Sequence, residues 1–176
     1  MDIWAQVAGC EGGAQGALRR LLADLLQTQV VDALLVPRPA PGGGNLVPTL
    51  VARPEDLTDA DPVAPVMPVQ SARLVSTLTA GGAPYRLGAV LKPCEVRATI
   101  ELAKLKQVDL AGVTLIGVDC LGTYELPDYQ VLLEQGADPT AHALAGAAQG
   151  IVLPLPGAEF RSACAICEQP VPAGSG

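Results

Sequence analysis

YRLGAVLKPCEVRATIELAKLKQVDLAGVTLIGV, residues 85–118, is the stretch on which the fold turns. Tyr85–Leu91 is a short apolar run and reads as a strand. Pro93 stands where the first turn of a helix should begin, a place where its missing N–H costs nothing. Over Glu95–Gln107 the apolar residues fall at helical spacing, with Val96, Ile100 and Ala103 on one side and Leu102 and Leu105 beside them. Val113–Val118 is a second apolar run of strand length. Strand, helix and strand in this order predict a right-handed parallel unit.

The flanking sequence extends this unit. Leu18, Leu21, Leu22, Leu25 and Leu26 predict an amphipathic helix over Gly13–Gln27, and Val30–Pro37 follows as a buried strand. A Pro/Gly loop from Arg38 to Asn45, tipped by Gly42-Gly43-Gly44, leads to a strand at Leu46–Ala52. Asp56–Pro68 is a connection punctuated by Asp and Pro. A helix over Gln70–Leu78 ends at Gly81-Gly82, and two more are expected at Pro127–Gln135 and Thr140–Ala148. Ile151–Leu155 reads as a last short strand. The alternation predicts an α/β fold: a mixed, largely parallel sheet flanked by helices, with a cysteine-containing C-terminal segment. Residues 1–160 form the α/β domain on this reading, and residues 161–176 complete its site.

Composition narrows the function. Hydrophobic residues make up 49% of the 176-residue chain and charged residues 16%, the balance of a folded globular protein. Aromatics are only 3%, so the core must be aliphatic. A net charge of −7 without a basic run argues against nucleic acid and anionic membranes as partners. Met1-Asp2-Ile3-Trp4 lacks the basic start of a signal peptide. The longest charge-free stretch, Pro139–Ala158, is interrupted by Gly and by Pro154 and Pro156, which argues against a membrane span. The expectation is a cytoplasmic protein without membrane insertion.

In that setting five cysteines point to metal or redox chemistry rather than disulfides. Cys94 follows one strand and opens a helix; Cys120 follows the next strand. Open α/β sheets gather ligands beyond the carboxyl ends of their strands, so both thiols are expected at one site. The helix N-terminus should favour a thiolate at Cys94, and Lys92 and Arg97 are placed to offset negative charge. Cys164-Ala165-Ile166-Cys167 adds a C-x-x-C pair, followed by Pro170. Cys94, Cys120, Cys164 and Cys167 thus supply the four ligands of a [4Fe–4S] cluster. Other readings stay open. A four-cysteine zinc site in a structural or interaction module uses the same residues, although such sites usually pair their motifs. Buried cysteines can also be small hydrophobes, and a thioredoxin-like pair belongs at an early helix start. Cys10 is read as a spare thiol.

Gly12-Gly13, before the first helix, can receive a phosphate or let a flavin approach closely. A glycine-relieved helix start is the simpler reading of the pair. His142, the only histidine, has no Ser or Cys partner in view and reads as a solvated or packed residue. Gly122-Thr123 is expected to shape the turn that aims Cys120. No catalytic triad, carboxylate pair or Walker loop is present.

On these residues the chain resembles the beta subunits of F420-reducing (deazaflavin) hydrogenases and formate dehydrogenases, which are iron–sulfur flavoproteins. The matching segments are Gly12-Gly13 with its helix, Val30-Val31-Asp32-Ala33, Lys92-Pro93-Cys94-Glu95-Val96-Arg97-Ala98, Gly117-Val118-Asp119-Cys120-Leu121-Gly122-Thr123 and the C-x-x-C pair. The resemblance implies a cluster on the four cysteines and a nearby FAD lined by Gly12 and Gly13. It further implies an electron-transfer subunit of an oxidoreductase that works between partner subunits and a deazaflavin (coenzyme F420) or ferredoxin carrier. Three departures stand out. Glu11 occupies a position where relatives often have Ser, the N-terminus has no ferredoxin-like cysteine cluster, and the sequence runs only to Gly176 after Cys167.

Overall fold

The computed structural model describes residues 11–172 apart from Gly42 and Gly44; Cys10 and most of the predicted glycine tip lie outside the described residues. Four strands form one sheet: β1 (Ala33–Pro39), β2 (Leu46–Val51), β3 (Leu87–Leu91) and β4 (Val113–Gly117), in the order β2-β1-β3-β4. β1 and β2 are an antiparallel hairpin, registered from Leu34 opposite Val51 to Pro39 opposite Leu46. β1 pairs with β3 and β3 with β4, both in parallel. The α/β class and the mixed, mostly parallel sheet are as the sequence predicts.

Proline placement explains the sheet's edge. Pro37 faces Pro48 across the hairpin, while the β1–β3 ladder spans only Ala33–Leu35. Residues without an N–H therefore sit beyond the central ladder and on an edge strand, where they cost least. β3, the most buried strand, reads LGAVL and is covered on both faces. Gly88 and Val90 face one side; a Cβ at Gly88 would lie 2.6 Å from Leu34 Cδ2, so the absent side chain makes room for the neighbouring strand.

Helix α1 (Gly13–Gln27) matches its predicted bounds. It packs Leu22 and Leu26 against Val31, Leu34 and Val36, with Leu144 of α5 (Pro139–Ala148) beside them. On the opposite face, α2 (Ser71–Thr79) and α3 (Pro93–Lys104) cover Leu35, Leu87, Ala89 and Leu91. A third cluster joins Leu46 and Val66 to Tyr124, Phe160 and residues of α4 (Leu126–Glu134). The apolar area on both sheet faces is the main stabilising term, at roughly 25 cal/mol per Å² buried. No helix among the described residues is long and apolar enough to cross a membrane.

Ile151–Leu155 forms no strand. Gly150 has φ 81°, and Pro154 and Pro156 remove ladder donors, so the segment runs as irregular chain with Ile151 and Leu153 largely exposed. It is fastened instead by Leu155 N–H to the Tyr124 hydroxyl at 2.8 Å, and His142 Nε2 lies 3.1 Å from the Leu153 carbonyl.

At the amino ends of β1 and β3, Asp32 and Arg86 exchange contacts. Asp32 N–H donates to the Arg86 carbonyl at 2.8 Å, and the Asp32 carboxylate accepts from Arg86 N–H at 2.8 Å and from its guanidinium. The Arg86 side chain, then its N–H, hold the Asp32 carboxyl at about 2. A folded value below the unfolded one stabilises the fold above the ordinary carboxylate range, and that benefit disappears as pH falls through about 2. Arg86→Gln should therefore be less stable than wild type at about pH 5, with the gap closing toward pH 2. Urea unfolding across that range measures it; a gap independent of pH would show that the pairing does not contribute.

Candidate functional site

The registers of β3 and β4 place the first two thiols. Leu91 pairs with Gly117, and Val118 N–H continues the pairing to the Leu91 carbonyl at 2.9 Å. Cys94 lies three residues beyond Leu91 and Cys120 three beyond Gly117, so both emerge at the carboxyl edge of the parallel strands. The chain at Lys92-Pro93-Cys94-Glu95 is held firmly. Glu95, 3% exposed, accepts from Lys92 N–H at 3.0 Å and from Ser71 N–H at 2.6 Å, so one carboxylate serves the first turns of α3 and α2. Lys92, 4% exposed, sends Nζ to the Ala64 carbonyl at 2.8 Å. The spacing of Lys92 and Glu95, N-cap to third helical residue, is the signal that marks this carboxylate as a cap.

The C-terminal segment brings the other two. Arg161 N–H donates to the Thr123 carbonyl at 2.8 Å, and Cys120 N–H donates to the Pro170 carbonyl at 2.7 Å. Between these anchors lies α6, a single turn (Ser162–Ala165) carrying Cys164, with Cys167 just after it. The chain then passes over β4, where Pro172 occupies the space a Gly117 side chain would need. Cys94, Cys120, Cys164 and Cys167 all line one cleft of about 630 Å³, together with Arg97, Thr123 and Arg161. Cys94, Cys120 and Cys164 are half-buried and Cys167 is exposed; none forms a disulfide.

Burial pushes the Cys94 thiol up, and Glu95, Cys120 and Cys164 add to it. Burial also pushes Cys120 up, opposed by the Lys92 charge and the Gly122 N–H and reinforced by Cys164 and Cys167. The expected thiolate-favouring effect of the α3 N-terminus is thus outweighed at Cys94, because desolvation and a neighbouring carboxylate act against it. The mutual influence of the thiols does mark them as neighbours. Among the described residues, no three Cys, His, Asp or Glu groups stand close enough together to hold a single metal ion.

Arg161, which composition and spacing give no reason to single out, is the cleft's other cation beside Arg97. Its Nε lies 3.1 Å from Glu125 Oε2, an ion pair too bent for a hydrogen bond, and its Nη1 reaches the Met67 carbonyl at 3.4 Å. A second cleft, about 670 Å³, shares Cys120, Gly122 and Cys164 and continues along Leu121, Leu153 and Phe160. Gly12 and Gly13 line neither cleft. Both have positive φ, at 86° and 61°, and open space surrounds the position a Gly13 side chain would take.

No protein-family model matches the chain. Curated relatives do. The chain is 29% identical over 113 residues to the F420-dependent formate dehydrogenase 1 subunit beta of Methanococcus maripaludis, a match covering 64% of this chain and 28% of that protein. It is 29% identical over 108 residues to the F420-dependent formate dehydrogenase subunit beta of Methanocaldococcus jannaschii, covering 61% and 28%. Over these residues the chain is similar to these beta subunits. It spans little more than a quarter of their length. A chain in the xenon-derivatised structure of the F420-reducing [NiFe] hydrogenase complex from Methanosarcina barkeri has the same fold, with a TM-score of 0.55 at 18% identity, over 68% of this chain and 43% of that one.

Gly122 ties the two clefts together. Its φ is 83°, and a Cβ there would lie 2.9 Å from the Phe160 ring. Gly122→Ala should lose about 2 kcal/mol from left-handed strain and overpacking. Urea unfolding measures the loss; wild-type stability would mean that this turn relaxes freely.

Proposed function

We propose that this chain is an electron-transfer subunit of a multi-subunit oxidoreductase, holding one [4Fe–4S] cluster on Cys94, Cys120, Cys164 and Cys167. The observation that carries the reading is the convergence of four thiols from three separate segments on one cleft. The donor set fits the group in kind: four soft sulfur ligands line the one cleft. A zinc ion would need all four sulfurs drawn in to about 2.3 Å. When bound, a cluster of this kind accepts and releases an electron. Arg97 and Arg161 at the rim, and the buried Lys92 near Cys120, offset the negative charge that four thiolates bring. On this reading, residues 161–176 are the segment that completes a site begun by residues 1–160.

FAD is the second proposed cofactor. The resemblance and the cleft beside Cys120 and Cys164 support it; Gly12 and Gly13, which line neither cleft, come to it through the resemblance alone. Other subunits of a redox complex are the proposed partners, with a deazaflavin as carrier, as the F420 in the relatives' names suggests, or a ferredoxin.

Anaerobically prepared protein should contain about four irons and four acid-labile sulfides per chain, with a broad visible band that bleaches on reduction. Cys→Ser at 94, 120, 164 or 167 should lose or convert the cluster, whereas Cys10→Ser should be nearly silent. Stoichiometric zinc without sulfide would sink this reading and leave the zinc-stabilised module.

For the flavin, titration with FAD of the chain alone and with its native partners should show binding that weakens at least tenfold in Gly13→Val. That is about 1.4 kcal/mol. An intact cluster without flavin in either preparation would reduce the protein to a one-cluster relay.

A further inference from the structure

We propose that the Thr123 hydroxyl is the donor that tunes the electron affinity of the centre held by Cys164, an inference that rests on the cluster reading above. Thr123 Oγ1 lies 3.0 Å from Cys164 Sγ. Thr123 is 1% exposed, so bulk water does not compete for its hydroxyl.

The hydroxyl's position is fixed by backbone on both sides. The Thr123 carbonyl accepts from Arg161 N–H at 2.8 Å, and Tyr124 N–H donates to the Pro65 carbonyl at 2.8 Å. Tyr124 is also bridged to Val66 on one side and Phe160 on the other. A β-branched side chain on such a backbone has little rotamer freedom. Arg161, three residues before Cys164, is thus bonded to the residue whose hydroxyl meets the sulfur, and the two groups are placed by one short piece of structure.

In the free thiol either atom can donate. A sulfur bound to iron has lost its proton, so the hydroxyl becomes the donor. Hydrogen bonds to cluster sulfurs help set cluster potentials, because an added electron raises negative charge on those sulfurs and an aimed O–H stabilises it. Thr123 therefore acts through Cys164 as a positioning and tuning residue. Removing the hydroxyl disfavours the reduced state.

The test uses the anaerobically loaded full chain as wild type and as Thr123→Val, Thr123→Ala and Thr123→Ser. Iron and sulfide are measured first, and midpoint potentials are then taken by dithionite titration, followed in the visible band and by electron paramagnetic resonance. Val and Ala variants loaded to the wild-type level with a more negative midpoint, and a Ser variant at the wild-type midpoint, are the expected result. A loaded Val variant at the wild-type potential overturns the proposal. If Val does not load, Ala is judged by the same criterion. Failure of both Val and Ala to load, with Ser loading normally, also overturns it, because the hydroxyl then serves assembly rather than potential. A wild type without iron and sulfide overturns the underlying cluster reading instead.

Discussion

Everything at the carboxyl edge of the sheet depends on the buried carboxylate of Glu95. Two helix starts, those of α2 and α3, present N–H groups with no partner inside their own helices, and Glu95 accepts one from Ser71 and one from Lys92. A buried carboxylate is costly unless its oxygens are bonded; here both oxygens are used. The adjacent Lys92 is buried as well and is satisfied by the Ala64 carbonyl. This knot of contacts joins α2, α3, β3 and the segment before α2. Cys94 sits inside it, between Pro93 and Glu95, so its Cα has no freedom that the knot does not allow.

The arrangement favours the thiol over the thiolate at Cys94 and Cys120. Burial pushes both Cys94 and Cys120 up; Glu95 adds to the effect at Cys94, whereas Lys92 opposes it at Cys120. The raised values keep these thiols protonated and neutral, so a metal centre, which takes thiolates, would have to displace their protons. Binding would then release protons and stabilise the fold together, since the arranged thiols exist only in the folded chain.

Much of this was readable from sequence because it rests on short-range rules. The leucine spacing of α1, the Pro93 helix start and the apolar runs of β3 and β4 are local, and they placed Cys94 and Cys120 at equivalent ends of neighbouring strands. The C-x-x-C pair identified itself. Ile151–Leu155 misled because its hydrophobicity belongs to a strand while its prolines and the preceding glycine forbid a ladder. The thiolate preference expected at Cys94 followed the helix dipole and left out desolvation, which needs knowledge of what covers the residue. Arg161 and the Thr123–Cys164 contact were out of reach for a different reason. Thr123 and Cys164 are 41 residues apart, and the Tyr124–Phe160 bridge with the Arg161–Thr123 hydrogen bond brings them together.

The path of the C-terminal tail divides the four sulfurs mechanically. Residues 161–170 are fastened at both ends to the tetrapeptide 120–123, through Thr123 and through Cys120. Cys120, Cys164 and Cys167 are therefore joined through backbone hydrogen bonds into one plate, while Cys94 is held by α3. Any load placed on the tail, for instance at the exposed Ile166, would act across the seam between plate and helix. A group bridging that seam would behave as a rivet, stiffening the joint and carrying to α3 whatever displacement the tail receives.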